Sequence, residues 1–441
     1  MSAEPPAEPG RRAVTGFENT LDEYPLALAS RIASRFDVAT PVEAFDFPEK
    51  GNINLHTFVI LAGHPGRQSE FLLQRINRQV FTRPRSVMAA MMASIRAQRE
   101  SVEGGELPAG QEWDAITLLP TRDGQPFLET TDRRGAEVWR LMERIPACRT
   151  FKSLSEIADP AERLRIAEEA GRGLALYSDF TAEMDTTGLA NPLPGYRDTR
   201  VYYDQLNAVL KGCRSPEEAA GFLPEDETLR HSTEYHFWVH LAPADYSRRT
   251  QDPVLQPFIA LAKENEQFAM TLLRKMESGE IRRLAIHGDT KLDNFLFSAE
   301  TGRVKALIDL DTIMPHTWLA DWGDMVRSLV NVAGEKEPDI AKVRVDKEIF
   351  MAVARGFLST ARAVTPTEVD LMVDAVRIIA LELGVRFLSD YLRGDSYFRL
   401  GPADPPDLNK TRAMVQLTLF QRLTESAEEL RRTIDGLRSA A

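Results

Sequence analysis

The stretch 286–331, IHGDTKLDNFLFSAETGRVKALIDLDTIMPHTWLADWGDMVRSLVN, constrains this chain most. Two short apolar runs, 295–297 and 304–308, flank a polar turn at 298–303, a pattern that predicts a β-hairpin. Polar residues gather at its ends. His287, Gly288, Asp289, Lys291 and Asn294 precede the first run, and Asp309 and Asp311 follow the second. Asp, Asn and Gly are also the commonest turn formers, so a bare His-Gly-Asp reads as an ordinary turn. The spacing H-G-D-x-K-x-x-N, with apolar-D-x-D downstream, is far more specific.

These residue types in this order suit phosphoryl transfer. That chemistry needs an acceptor hydroxyl aimed at the γ-phosphorus and negative charge neutralised around it. Asp289, in a turn beside cations, stays ionised and accepts the hydroxyl proton. Asn294 and Asp309 offer the hard oxygen ligands that Mg²⁺ prefers, one from each strand of the hairpin. Lys291 neutralises the moving phosphoryl group.

The 441 residues suffice for two or three domains, or two large lobes. With 43% hydrophobic and 27% charged residues, composition is that of an ordinary globular protein. The net charge of -12 argues against nucleic acid as a partner, while leaving room for a small anion such as ATP in a local positive pocket. Cys148 and Cys213 lack CxxC or metal spacing, which predicts a reducing, cytoplasmic setting. No signal-peptide core opens the chain, and no run approaches the roughly 20 apolar residues that span a bilayer.

The order of elements predicts an α+β, bilobal, protein-kinase-like fold. Residues 1–18, rich in Pro, Ala and Glu, read as a disordered tail. A helix follows over 21–36, two strands lie within 45–61 around a Gly/Asn turn, and a third strand covers 71–76. Pro84 opens a helix whose apolar stripe (Val87, Met88, Met91, Met92, Ile95) faces a core. Arg83, Arg85, Arg96 and Arg99 read as solvated. Strands over 127–130 and 138–142 end this small lobe, and Pro146 marks the boundary. Helices are expected over 161–179, 200–210, 253–276, 347–363, 367–392 (capped by Thr367) and 409–437. The domains are therefore a tail at 1–18, a nucleotide-binding lobe at 19–146 and a catalytic, acceptor-binding lobe at 147–441.

HGDTKLDN and LIDLDT resemble the aminoglycoside phosphotransferase and choline kinase superfamily, relatives of the protein kinases. Within it the chain is most similar to the N-acetylhexosamine 1-kinases. The supporting pieces are GNIN with His56-Thr57-Phe58, LQRIN at 73–77, IDLDTIMP at 308–315, Asp321-Trp322-Gly323-Asp324, and RFLSDYL at 386–392 with Tyr397-Phe398. The resemblance implies an ATP- and Mg²⁺-dependent kinase acting on the anomeric hydroxyl of an N-acetylhexosamine, with Asp289 as base and Asn294 and Asp309 as metal ligands. It implies that the turn bearing Gly51, Asn52 and Asn54, with Thr57, lies over the ATP phosphates, and that Arg75 contacts them. Arg75 also reads as an outward strand residue. Adenine would lie against 142–146, with Met142, Glu143 and Ile145, and nucleotide and metal would sit between the lobes.

On the acceptor side the resemblance implies that Arg386 and Tyr397 reach the sugar and that Arg327, Ser328 and Asn331 border its pocket. Asp311 touches metal or sugar, or caps the turn. Arg386 reads equally as an intrahelical partner of Glu382 or Asp390. Two departures stand out. Residues 87–98 supply no glutamate to pair with Arg75, and Arg197 in PGYRDT stands where relatives have His. Asp321 and Asp324 are expected to cap and anchor the following helix, and His236 and His240 to be surface or packed residues rather than metal ligands. Two alternatives remain: an aminoglycoside or choline-type kinase, and a non-catalytic nucleotide-binding pseudokinase. Sequence leaves the acceptor, its epimer, the pathway and the oligomeric state open.

Overall fold

The computed structural model describes residues 25–48, 53–54, 56–132 and 135–440. The expected tail, Gly51 and Asn52 therefore lie outside the described residues. The chain divides into two compact units, Met1–Arg85 with Ile116–Ile145, and Ser86–Ala115 with Pro146–Ala441. The α+β expectation holds. One unit is built on an antiparallel sheet and the other is mostly helical.

In the first unit, helix α1 (Pro25–Ala33) packs on strands β1 (Val42–Asp46), β2 (Thr57–Ala62), β3 (Ser69–Arg75), β4 (Leu128–Asp132) and β5 (Gly135–Glu143). The sheet order is β1-β2-β3-β5-β4, each neighbour antiparallel. Alternate residues of β2 and β5 point inward, as the two-residue strand period requires. Phe58, Ile60, Leu73, Trp139 and Leu141 meet Ala29, Ile32, Ala33 and Phe36 in one core. Each large apolar side chain buried there stabilises the unit by roughly 2 kcal/mol. Buried Arg140 donates from Nε to Gln74 Oε1 at 3.0 Å, and Gln74 Nε2 donates to Thr57 Oγ1 at 3.2 Å. That ladder ties β5, β3 and β2 together across the sheet.

Helix α2 (Pro84–Glu103) begins at Pro84 as expected, and its stripe of Val87, Met88, Met91 and Ile95 is buried. From Ser86 onward it belongs to the helical unit. There Ser94 Oγ lies 3.0 Å from the Tyr177 hydroxyl, and Trp113 Nε1 donates to Gln98 Oε1 at 2.9 Å. The unit then runs through β6 (Cys148–Arg149), α3 (Pro160–Thr181), capped by Asp159, and α4 (Thr199–Lys211), which ends on Gly212. Short helices follow: α5 (Pro216–Ala219), α6 (Glu227–Thr233), α7 (Pro243–Thr250), α8 (Gln256–Glu264), α9 (Glu266–Ala269) and α10 (Thr271–Glu277). The expected helix over 253–276 is thus three pieces. Asn265 makes the first break by turning Nδ2 back onto Leu261 O at 2.9 Å, a local bond that competes with the helix ladder.

Next come β7 (Leu284–Ile286), β8 (Phe295–Ser298), β9 (Val304–Leu307) and β10 (Met314–His316). The hairpin β8–β9 forms as expected and extends to β6, while β7 and β10 pair separately. Helices α11 (Trp318–Val330), α12 (Lys347–Leu358), α13 (Pro366–Asp370), α14 (Met372–Arg393) and α15 (Leu408–Ala440) complete the unit. Helix α12 stops short of Ala363 because the Asp179 carboxylate takes the Arg362 and Ala363 amides at 2.9–3.0 Å. The expected cap Thr367 is also corrected. Thr365 and Glu368 form a capping box on α13, and the chain breaks at Leu371 before α14. Where α3 crosses α12, a Cβ on Gly171 would lie 2.1 Å from Val353 O and one on Gly356 1.8 Å from Glu168 O, so only glycine allows this approach.

Candidate active site

Strand β7 delivers its chain end at Ile286 and the loop begins at His287. Several polar groups of the loop before Asp289 are held by partners from elsewhere in the chain. The amides of His287 and Gly288 donate to the two oxygens of Asp321, at 2.7 and 2.8 Å. Thr290 Oγ1 donates to Asp321 O at 2.7 Å. Gly288 O accepts from the Tyr196 hydroxyl at 2.9 Å and from Arg197 Nη2 at 3.4 Å. His287 O accepts from Thr312 Oγ1 at 2.8 Å. Gly288 itself has φ +85, and a Cβ there would sit 2.5 Å from Thr312 O.

His287 acts as a bracket. Its Nδ1 accepts the Asp289 amide at 3.2 Å, so the ring proton resides on Nε2, which donates to Ile308 O at 2.8 Å. Burial holds the ring below its ordinary pKa, favouring this neutral form. One side chain thereby links the backbone at Asp289 to the residue preceding Asp309.

Asn294 is buried, and its Nδ2 donates to Asp289 O at 2.7 Å and to Asp289 Oδ2 at 3.3 Å. Its carboxamide oxygen is then left as an acceptor. Ile308 donates its amide to Asn294 O at 2.9 Å, joining the two ends of the hairpin. Lys291 Nζ lies 3.2 Å from Asp289 Oδ2 and 4.0 Å from Asp293 Oδ2. Burial alone would lower its pKa, but the carboxylates of Asp289, Asp293 and Asp309 raise it, so Lys291 stays charged. Asp309 is exposed in the left-handed region at φ 63, beside a short 3-10 turn that buries Asp311. Among the described residues no cluster of three or more His, Cys, Asp or Glu forms a metal cage.

Asp321 and Asp324 sit within α11, whose cap is Thr317. This corrects the expectation that they cap the helix. Asp321 anchors the loop before it instead. Burial pushes its carboxyl up to about 7 despite the two amides. Asp324 Oδ2 lies 2.7 Å from Arg197 Nη2, and its Oδ1 accepts from Arg327 Nη2 at 2.6 Å. Burial would raise Asp324, but these guanidinium groups hold it at about 2. Arg327 is therefore engaged by Asp324 and, at 3.6 Å, by Glu335.

Arg386 packs among aromatic rings rather than carboxylates. Its guanidinium lies 4.8–5.6 Å from the ring centroids of Tyr202, Tyr196, Phe398 and Tyr397. Glu382 pairs with Arg197 at 3.5 Å and Asp390 with Arg393 at 2.9 Å, so neither intrahelical ion pair of Arg386 forms. Tyr397 is 44% exposed and meets His236 edge-on at 5.3 Å. Asn331 is buried, and its Nδ2 donates to Gly334 O at 3.3 Å.

The structure thus brings Asp289, Lys291, Asn294, Asp309 and Asp311 together, and chains Arg327, Arg386 and Tyr397 to them through Arg197 and Tyr196. The described nucleotide candidates belong to the sheet unit. Asn54 is buried, with its Oδ1 accepting the Asn77 amide at 3.0 Å and its backbone O accepting from Thr57 Oγ1 at 2.7 Å. Arg75 Nε lies 3.4 Å from Glu137 Oε2, a carboxylate on β5 rather than on α2. Met142 is buried and Glu143 exposed at the end of β5, with Ile145 just beyond. Sequence reasoning gave no role to Tyr196, Thr312 or the His287 ring. Only the Arg197-for-His departure signalled the first of these. Cys148 and Cys213 are free thiols. No helix of the described residues is long and apolar enough to cross a membrane.

Similar folds occur among solved kinases. The chain overlays a microcompartment-associated aminopropanol kinase with a TM-score of 0.51 at 14% identity, covering 92% of this chain and 98% of that one. It overlays an amicoumacin kinase, solved with AMP-PNP and Ca²⁺, with a TM-score of 0.50 at 12% identity, covering 89% and 93%. These likenesses are of fold. The model of the phosphotransferase enzyme family matches residues 47–347, more than half of the chain and all of the Asp289 site. With that match and the bracketed Asp289–Asn294–Asp309 arrangement, the chain belongs to the phosphotransferase enzyme family, the aminoglycoside phosphotransferase group of kinases.

Proposed function

We propose that this protein is an ATP- and Mg²⁺-dependent kinase of a small-molecule alcohol, with the anomeric hydroxyl of an N-acetylhexosamine or related sugar as acceptor. Asp289 orients that hydroxyl and accepts its proton, and Lys291 offsets the charge of the moving phosphoryl group. The donor set fits a Mg²⁺ ion, which characteristically takes one or two protein oxygens and leaves the rest to phosphates and water. Asn294, its Nδ2 already engaged by Asp289, would hold it through Oδ1, and Asp309 through its carboxylate. The metal would supply charge neutralisation for the phosphates. Arg75, steadied by Glu137, with Asn54, Thr57, Met142, Glu143 and Ile145 in the same unit, is the reading's nucleotide set, together with Gly51 and Asn52.

The observation that carries the acceptor reading is Arg386. A guanidinium edged by four aromatic rings, with no carboxylate of the described residues in ion-pair contact with it, disfavours a cationic acceptor by like-charge repulsion and suits a neutral polyol. Half-exposed Tyr397 offers the apolar face of a sugar a surface to lie on. Asp311 and, more remotely, Arg327 and Asn331 are secondary acceptor candidates. The competing reading, an amino alcohol or aminoglycoside acceptor, draws on the aminopropanol and amicoumacin kinases of similar fold. An ADP-release assay with N-acetylglucosamine, N-acetylgalactosamine, galactose, glucose, choline and kanamycin separates them. Turnover of the N-acetylated sugars supports the proposal, and turnover of choline or kanamycin alone refutes it.

A further inference from the structure

The loop before Asp289 is held from one direction that the phosphotransfer motif does not contain. The peptide plane joining Gly288 to Asp289 is fixed at both ends. Its N–H goes to His287 Nδ1, and its C=O receives two donors, the Tyr196 hydroxyl at 2.9 Å and Arg197 Nη2 at 3.4 Å. The same Tyr196 presents its ring to the Arg386 guanidinium at 5.2 Å. Its ring also packs on Ile286, Met314, Ala320 and Ile379, beneath the loop.

Arg197 is built for a single placement. It adopts φ 62, a conformation unfavourable for a residue with a Cβ, and it is 3% exposed. Its guanidinium reaches Gly288 O, Asp324 at 2.7 Å and Glu382 at 3.5 Å. Its backbone amide donates to the Tyr202 hydroxyl at 2.9 Å, and Tyr202 is the ring nearest Arg386, at 4.8 Å. Two successive residues therefore each touch both the catalytic loop and the aromatic box around Arg386.

We propose that Tyr196 and Arg197 are positioning residues that make the orientation of Asp289 depend on the acceptor pocket at Arg386. An acceptor seated on Arg386 presses on the two rings, Tyr196 and Tyr202, whose hydroxyls hold Gly288 O and the Arg197 backbone. The inference rests on the reading of Asp289 as base and Arg386 as acceptor contact. Its substance is geometric pre-organisation, in which small displacements of a reacting group cost large factors in rate.

The test is a double-mutant cycle with Tyr196→Phe, which keeps the ring and removes only the hydroxyl, and Arg386→Met. For Tyr196→Phe, kcat should fall about tenfold, the scale of one lost hydrogen bond that matters in the transition state. KM for ATP should stay within about twofold and the melting temperature near wild type. The loss in kcat/KM for the acceptor should be non-additive with that of Arg386→Met. An unchanged kcat, additive losses, or a loss that vanishes when rates are scaled to the folded fraction overturns the proposal. If wild type phosphorylates some other alcohol and no sugar, the sugar reading falls and the same cycle is run on that alcohol. Hydrogen exchange of peptides spanning 286–290 needs no acceptor at all. Tyr196→Phe should speed exchange there and nowhere else, and identical protection in both proteins refutes the clamp.

Discussion

Gly288→Ala tests the loop geometry most directly. Two costs separate cleanly. The first is conformational: at φ +85 an L-residue with a Cβ loses about 1–2 kcal/mol. The second is steric. The new Cβ would stand 2.5 Å from Thr312 O and 3.1 Å from Thr312 Cβ, against an ordinary contact of 3.4 Å or more. Met314 Cε, at 2.7 Å, is the far end of a flexible side chain and can swing away. Thr312 O is backbone, and Thr312 is itself bonded to His287 O, so the loop must move by roughly 1 Å. Misplacing a reacting group by about 1 Å costs on the order of 100-fold in rate. Gly279→Ala supplies the control, because Gly279 has φ +77 with open space around its Cβ position. It should lose about 1–2 kcal/mol in urea denaturation and keep its kcat. Gly288→Ala should lose about 2–4 kcal/mol and on the order of 100-fold in kcat, read by ADP release at saturating acceptor. If Gly288→Ala matches Gly279→Ala in both measurements, the loop is not held against Thr312 as described, and the reasoning fails.

Three further outcomes follow from the site. Asp289→Asn should abolish turnover while nucleotide affinity, measured by calorimetry, changes little; near-normal kcat would remove Asp289 from the role of base. Asp324 is held at about 2, below an ordinary carboxyl near 4, so its contribution is present above pH 4 and is lost as pH falls through 2. That contribution is about 2 kcal/mol, and denaturation midpoints between pH 5 and pH 2 in wild type and Asp324→Asn should converge at the acid end. Asp321 runs the other way. Its carboxyl is pushed up to about 7, so its contribution is complete below pH 4 and is lost as pH rises through 7. Asp321→Asn should flatten the fall in stability between pH 4 and 7, and an unaltered slope would contradict a buried, raised carboxyl.

What was legible beforehand was local. The hairpin could be read because its apolar runs and turn residues lie within fifteen positions of one another, and the sheet unit because strand alternation and Gly/Asn turns are short-range signals. Helix breaks were missed where one side chain overrode periodicity. Asn265 capped a carbonyl four residues back, and Asp179 drew off the amides that would have continued α12. Short helices α5 and α6 carried readable caps in Ser215 and Asp226, but too few apolar positions to register as periodic.

The site divides along the same line. Asp289, Asn294 and Asp309 are legible because twenty residues of local chain bring them together. The groups that fix them come from elsewhere: Asp321 from α11, thirty-odd residues on, and Tyr196 and Arg197 from about ninety residues before. Such pairings leave no spacing to read, since only the packing of α11 and α14 beneath the loop creates them. Arg386 makes the same point. On its own helix its neighbours four residues away are Glu382 and Asp390, and spacing alone argues for an ion pair. In the fold those acids are claimed by Arg197 and Arg393, guanidinium groups that arrive from a distant loop and from the next turn. Arg386 is thereby released from its helix to the aromatic box. In the proposed reading, Arg386 is available to an acceptor because a second arginine, Arg197, occupies the glutamate that its own helix would have supplied.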